Sequence, residues 1–247
     1  MITFLSDFGE KDWFVAAVKG EILKINNRAV IVDVTHQISS YDILSASFLI
    51  KSFYKDFPEG TVHLAVVDPG VGGQRLPIIV ESSGYYFVGP DNGIFSYIYD
   101  NNSKIYQIKV ETTPSSTFHA RDIFGPTAAR LSKGLRPADL GREIEDYVRL
   151  EFPEVKITGK RIDGEVVYID KFGNLITNIP VDLEVEKFYI GTKEINIRGS
   201  YSEAGPREVI GIKGSCGFYE ISVNQGSVVE VLGARIGMAV QARLKDK

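Results

Sequence analysis

The chain has 247 residues, 44% hydrophobic and 24% charged, a composition that excludes intrinsic disorder and fibrous repeats and leaves room for two modest domains. Its 28 Lys and Arg stand against 32 Asp and Glu, a net charge of -4, so no bulk positive field is available to hold nucleic acid or an anionic membrane, and a small-molecule partner is favoured. One cysteine, Cys216, and three histidines cannot make an intrachain disulfide or a Cys/His zinc site, which suits a reducing cytoplasm. The opening Met1–Asp7 lacks a basic start followed by a long apolar stretch, and no later run approaches the ~18 apolar residues of a membrane span.

Ile2–Ser6 is a short apolar run ending at Asp7 and Gly9. Phe14, Val18, Ile22 and Ile25 then recur at helical spacing behind a candidate Asp12 cap, so strand, loop and helix are expected in that order. Val30–Val34 reads as a buried strand, Tyr41–Phe53 as an amphipathic helix, and Thr61–Val67 as a strand stopped by Asp68-Pro69-Gly70. Pro77–Val80 and Tyr85–Val88 flank a hairpin turn at Ser83-Gly84, and segments 93–99 and 122–134 look helical. This alternation predicts an α/β domain with a mainly parallel sheet, whose ligands sit beyond the carboxyl ends of the strands. Asp7, His36 and Asp68 all fall just past such ends.

After about residue 155 the pattern changes to short alternating runs broken by Gly, Asn and Pro: 164–170, 174–179, 193–198, 208–212, 218–223 and Ser227–Leu232. A smaller all-β, barrel-like domain is expected there. The boundaries read as 1–153 and 160–247, with the linker within Glu151–Lys160.

Asp68-Pro69-Gly70-Val71-Gly72-Gly73-Gln74-Arg75 is the most unusual segment, a shaped loop that a carboxylate enters and a guanidinium leaves. Its simplest reading is a surface turn whose Asp and Arg pair, and it lacks the Lys-Ser/Thr ending of a phosphate loop. His119 stands just before a helix that Asp122 could cap, where a histidine is either structural or able to polarise a ligand. Asp7 and Asp12 bracket the first strand-to-helix turn, where a carboxylate either caps the helix or holds vicinal ribose hydroxyls. Asp170-Lys171-Phe172-Gly173-Asn174 joins two strands, either as a plain hairpin or as an aromatic face beside an amide, suited to a purine. His63 lies inside a strand and reads as packed. On residue type alone, Asp7, His36 and Asp68 could also serve a metal-dependent hydrolase.

Taken together and in order, Ser6-Asp7-Phe8-Gly9, Asp33-Val34-Thr35-His36, Val67–Gly72 with Arg75, Gly89–Gly93, Phe118–Phe124, Asp170–Asn174 and Val223–Gly226 resemble the S-adenosylmethionine hydroxide adenosyltransferases, hydrolases related to the fluorinase and chlorinase. The resemblance implies an α/β domain followed by a β-barrel domain, and a homotrimer with substrate between one subunit's N-terminal domain and its neighbour's C-terminal domain. It implies hydrolysis of S-adenosylmethionine to adenosine and L-methionine, with no cofactor. The family's water-activating Asp, Arg and His fall on Asp68, Arg75 and His119. Asp7 matches the ribose ligand and Tyr41 an aromatic position over the ribose and methionine region. Phe172 and Asn174 match adenine contacts; Asp12, Asp170 and Ser215 match contacts to the methionine end. Cys216 and Val223 stand where the fluorinase has arginines, and Ala120 where it has its halide-pocket serine. A halogenase, or a nucleoside-binding protein without turnover, is the alternative expectation.

Overall fold

A computed structural model describes residues 1–110 and 113–245. The chain divides into two compact units, Met1–Glu151 and the residues from Phe152 onward.

The first unit runs β1 Ile2–Ser6, α1 Phe14–Ile25, β2 Ile31–Thr35, α2 Ile43–Phe53, β3 Val62–Val66, β4 Pro77–Ser82, β5 Tyr85–Pro90, β6 Lys104–Ile108, α3 Gly125–Ser132, α4 Pro137–Leu140 and β7 Gly141–Ile144. Its sheet has the order β2-β1-β3-β5-β4-β6-β7. The first three pairings are parallel and the last three antiparallel, so the sheet is mixed rather than mainly parallel. The switch is local in origin. Ser83 and Gly84 both adopt left-handed backbone, φ 50 and 83, which suits the tight turn of a hairpin. The β4–β5 hairpin therefore turns the chain back on itself, and β6 and β7 extend the sheet from β4.

Both faces of this sheet are covered, which is why β1 and β3 are buried along their whole length. Phe4, Leu64 and Val66 pack with Val18 and Ile22 of α1 and Ala128 and Leu131 of α3. The alternate residues Leu5, Ala65 and Val67 pack on the other face with Ala46 and Ile50 of α2. Polar loops are thereby confined to the strand ends.

Several local expectations are corrected. Asp12 does not cap α1, whose N-cap is Trp13 without a side-chain hydrogen bond. Segment 93–99 forms turns rather than a helix, although Ile94, Phe95 and Ile98 are buried. Asp122 is not a cap either, because it lies inside a π-helical turn, Ala120–Phe124, that runs into α3.

The second unit comprises β8 Lys156–Thr158, β9 Arg161–Ile169, β10 Leu175–Pro180, β11 Val185–Ile190, β12 Lys193–Asn196, β13 Val209–Lys213, β14 Phe218–Val223, α5 Val228–Leu232 and β15 Ala239–Leu244. The strands order as β12-β11-β15-β9-β10-β14-β13, with β8 paired to β9 inside the expected linker. All these pairings are antiparallel. A bridge between Ile197 and Gly211 brings the end beyond β12 to β13, so the sheet nearly closes into a barrel around Ile162, Leu175, Phe188, Tyr219, Ile221 and Val240. The run Ser227–Leu232 reads as a strand by its valines but folds as α5. Ser227 accepts from Glu230 N at 3.4 Å, and Gly233 closes the helix in left-handed conformation.

Candidate active site

The loops after β1 and β3 converge with the segment before α3 on a cavity of about 250 Å³. Its wall includes Asp7, Phe8, Tyr41, Asp68, Phe118 and His119. These residues come from chain segments far apart in sequence, and they meet at the carboxyl ends of parallel strands, as the fold rule requires.

Asp68 follows β3 by two residues, and Asn92 Nδ2 donates to the carbonyl of its neighbour Val67 at 2.8 Å. The loop then doubles back, so that Arg75 returns to Asp68. Arg75 Nε donates to Oδ1 at 2.9 Å and Nη2 to Oδ2 at 2.5 Å. Both side chains are nearly buried, 6% exposed for Asp68 and 9% for Arg75. A buried pair of this kind holds only if its geometry is good and its remaining hydrogen bonds are met. Here the guanidinium is met on three sides: Asp68 on one edge, His119 Nδ1 at 2.7 Å from Nη2, and the Phe124 ring 5.1 Å beneath its central carbon.

Gly72 makes this approach possible. Its φ is 75, and a Cβ there would overlap the carbonyl oxygen of Ser116, three residues before His119. The glycine loop therefore packs directly on the segment that delivers the imidazole.

The guanidinium has only N–H donors, so His119 Nδ1 is an acceptor and the ring proton sits on Nε2. Burial and then the Arg75 charge hold the His119 pKa below the ordinary imidazole value, against smaller opposing effects of Asp68 and Asp122. His119 is accordingly a neutral hydrogen-bond donor through Nε2. Asp122 turns away from it to accept from Ser115 N at 2.9 Å and to pair with Arg121.

Asp7 is half-buried, and its Oδ2 accepts from the backbone N–H of Tyr41 at 3.0 Å. Tyr41 is in left-handed conformation, φ 70, and its side chain is 70% exposed. Phe8, Phe14 and Phe118 form the apolar part of the wall, with ring centroids 5.4–6.1 Å apart. Sequence reasoning did not place Phe14 or Phe124 at the site: Phe14 read only as part of the apolar helical repeat, and Phe124 only as the end of the Phe118–Phe124 segment. Asp12 is exposed and is not among the residues lining the cavity.

In the second unit, Asp170 shapes the loop between β9 and β10. Its Oδ1 accepts from Phe172 N at 2.8 Å and Asn174 N at 2.9 Å, and its Oδ2 from Asn174 Nδ2 at 2.8 Å. Phe172 is left 69% exposed, while Asn174 is buried. Ser215 lies exposed in the turn between β13 and β14, beside a half-buried Cys216.

The metal-hydrolase set does not assemble as a cation site. His36 uses both ring nitrogens, on Ser6 and Asp33, while Asp68 is committed to Arg75. Among the described residues no three His, Cys, Asp or Glu converge. A second groove, of about 550 Å³ between β6, α4 and β7, brings together none of the singled-out residues. No helix among the described residues is long and apolar enough to cross a membrane.

The model of the SAM hydroxide adenosyltransferase N-terminal domain matches residues 2–141, and that of the C-terminal domain residues 164–241. An (R)-S-adenosyl-L-methionine hydrolase of Thermus thermophilus is 34% identical over 97% of this chain and 98% of its own. A fluorinase of an Actinoplanes species is 28% identical over 74% of this chain and 73% of its own. The crystal structure of an uncharacterized conserved protein from Thermotoga maritima superposes with a TM-score of 0.93 at 34% identity, covering 98% of this chain and all of the other.

Proposed function

The chain belongs to the SAM hydroxide adenosyltransferase family, and from that premise we propose that it hydrolyses S-adenosyl-L-methionine to adenosine and L-methionine. The substrate form is the (R) form named for the Thermus relative. Because L already specifies the α-carbon, (R) specifies the sulfonium.

The leaving group is a sulfonium that departs as a neutral thioether, so no general acid is needed and the weak partner is water. The water oxygen forms a bond to ribose C5′ as the C5′–S bond breaks, its electron pair passing to sulfur. One water proton must then be lost. Asp68 carries that role: its Oδ2 takes two Arg75 donors, Nη2 at 2.5 Å and Nε at 3.1 Å, whereas Oδ1 takes one, Nε at 2.9 Å, and keeps a lone pair that accepts from the water. His119 Nε2–H donates to one lone pair of the water, leaving the other to attack. Arg75 fixes both partners at once. The observation that carries this reading is the guanidinium bridge from Asp68 to His119 on the wall of the cavity that also holds Asp7.

Asp7 holds the ribose hydroxyls through the oxygen not used by Tyr41 N–H, and the Tyr41 ring covers the sugar. Ala120, buried on the cavity wall, offers no hydroxyl to a halide, and the Asp68 carboxylate repels one, whereas water gains from an acceptor.

The assembly proposed is a homotrimer in which a neighbouring copy's C-terminal domain supplies Phe172 and Asn174 to adenine and Asp170 and Ser215 to the methionine end, which Asp12 of the first copy's N-terminal domain also meets. The large exposure of Tyr41 and Phe172 supports a surface completed by another copy. Asp170 acts there mainly by shaping the Phe172–Asn174 loop. No cofactor is required by this chemistry, and the lone free Cys216 supports a cytoplasmic location.

The test is product analysis by mass spectrometry in oxygen-18 water without added halide. Adenosine carrying the oxygen-18 and unlabelled methionine are expected, and Asp68→Ala should lower kcat much more than it raises KM. A halide-dependent reaction yielding only 5′-halo-5′-deoxyadenosine, or tight adenosine binding without methionine release, would overturn the reading.

A further inference from the structure

His36 lies just past β2 and is not used by the chemistry above. It is 4% exposed, and Ser6, the last residue of β1, is 0% exposed. Ser6 Oγ lies 2.8 Å from His36 Nδ1, His36 Nε2 lies 3.1 Å from Asp33 Oδ1, and Lys19 Nζ from α1 donates to Asp33 Oδ2 at 2.5 Å. The arrangement has the residue types of a nucleophilic triad, but the buried Ser6 hydroxyl excludes that use.

The direction of the hydrogen bonds shows what the chain of groups holds. A carboxylate only accepts, so His36 Nε2 carries the proton facing Asp33. When the ring carries that one proton, Nδ1 accepts from the Ser6 hydroxyl, whose oxygen accepts from Phe8 N–H at 3.4 Å. Every donor from the Phe8 amide to Asp33 points the same way, and Lys19 closes the far end. The Phe8 amide belongs to the peptide joining it to Asp7. His36 also ties the loop through its main chain, since its carbonyl accepts from Gly9 N at 2.7 Å. A register shift between β1 and β2, where Phe4 faces Asp33 but Leu5 faces Thr35, carries His36 forward to Ser6, as a bulge beside a functional site does. Burial works to raise the Asp33 pKa, but the Lys19 and His36 bonds outweigh it and keep the carboxyl below its usual range.

We propose that His36 is a positioning residue for the ribose of the substrate. Through Ser6 and the Asp7–Phe8 peptide it holds the Asp7 carboxylate, already fixed at Oδ2 by Tyr41, with its free oxygen toward the two sugar hydroxyls. This rests on the hydrolase reading, which supplies the diol.

The experiment is calorimetric titration of the full chain with adenosine and with 2′,3′-dideoxyadenosine. His36→Phe keeps the volume but removes the polar chain. It is expected to weaken adenosine about tenfold, leave the dideoxy compound unchanged, and raise KM with kcat altered less than about threefold. Asp33 is 41% exposed at its side chain, so Asp33→Ala preserves the fold should His36→Phe not. It should weaken adenosine about threefold, and Asp33→Asn, which keeps an acceptor, should restore it. Equal weakening of both nucleosides, or of neither, overturns the inference and leaves the hydrolase reading standing. Wild-type protein that binds neither overturns both.

Discussion

Arg75 Nη2 donates to His119 Nδ1 at 2.7 Å, and in the proposed chemistry this one contact decides which nitrogen of the imidazole faces the water. With Nδ1 committed as an acceptor, Nε2–H can give a hydrogen bond but cannot take a proton. His119→Gln, which keeps an N–H donor, should retain activity within about tenfold, whereas His119→Ala should lose about a hundredfold. If His119 were the base, the two variants would be equally impaired. Protonating Nδ1 would set it against the Arg75 donor. Activity should therefore fall on the acid side with an apparent pKa below 6.5, the direction of the His119 shift.

Tyr41 carries a bulky side chain at φ 70, a conformation that costs a non-glycine residue about 1–2 kcal/mol. Its N–H is what Asp7 needs; its ring is what the ligand would need. Tyr41→Gly and Tyr41→Ala should raise KM alike. The glycine variant should be about 1 kcal/mol more stable than the alanine variant, because only glycine is free of the strain. Thermal melts beside steady-state kinetics read both effects, and a glycine variant no more stable than alanine would show that the strain is not there.

Gly72 is required twice, by its φ of 75 and by the Ser116 carbonyl against it. Gly72→Ala should cost about 2 kcal/mol of stability. It should also lower kcat, because it parts the Asp68–Arg75 loop from the segment holding His119. A stable variant with normal kcat would mean that the two segments do not need to touch.

His63 supplies an acid-sensitive element away from the site. It is 1% exposed, stacked 5.0 Å from Phe87, and bonded through Nδ1 to Thr3 Oγ1 at 2.8 Å. Among the described residues its Nε2 has no partner. Burial lowers its pKa from 6.5 to about 3. Between those values the unfolded chain binds the extra proton, so stability falls as pH drops below 6.5 and the loss is complete near 3. From about pH 7 to about pH 4.5 this group alone should remove on the order of 3 kcal/mol. Urea midpoints at the two pH values should differ less in Thr3→Val/His63→Phe; an unchanged difference would assign the acid sensitivity to other groups.

The parts of the fold legible in the sequence were those set by local pattern. The β1, β3 and hairpin runs, the α2 segment and the shaped loop from Asp68 to Arg75 all carry their own signals. What was not legible depended on distant partners. Nothing near Lys104–Ile108 or Gly141–Ile144 announces that β6 and β7 extend the sheet beyond β4, so the parallel character was overestimated. The Val-Val-Glu-Val-Leu run of α5 alternates like a strand, and only the Ser227 cap and Gly233 decide otherwise. At the site, Asp68 and Arg75 could be read as a pair from their spacing. The meeting with His119, and the service that Phe124 and Asn92 give it, required the folded chain; so did the use of His36, whose ring nitrogens are both taken up below the cavity.

The ion pair at the centre of the site spans seven positions of chain, and its imidazole partner lies forty-four positions further on. Closing the longer loop costs roughly 1.5 kcal/mol more in chain entropy than closing the shorter one. The carboxylate and guanidinium thus travel as one cassette, indifferent to insertions elsewhere, whereas the imidazole depends on everything between Arg75 and α3 keeping its length and path. Sequence drift in that intervening stretch is therefore where this chemistry is most easily lost, with the cassette itself left intact.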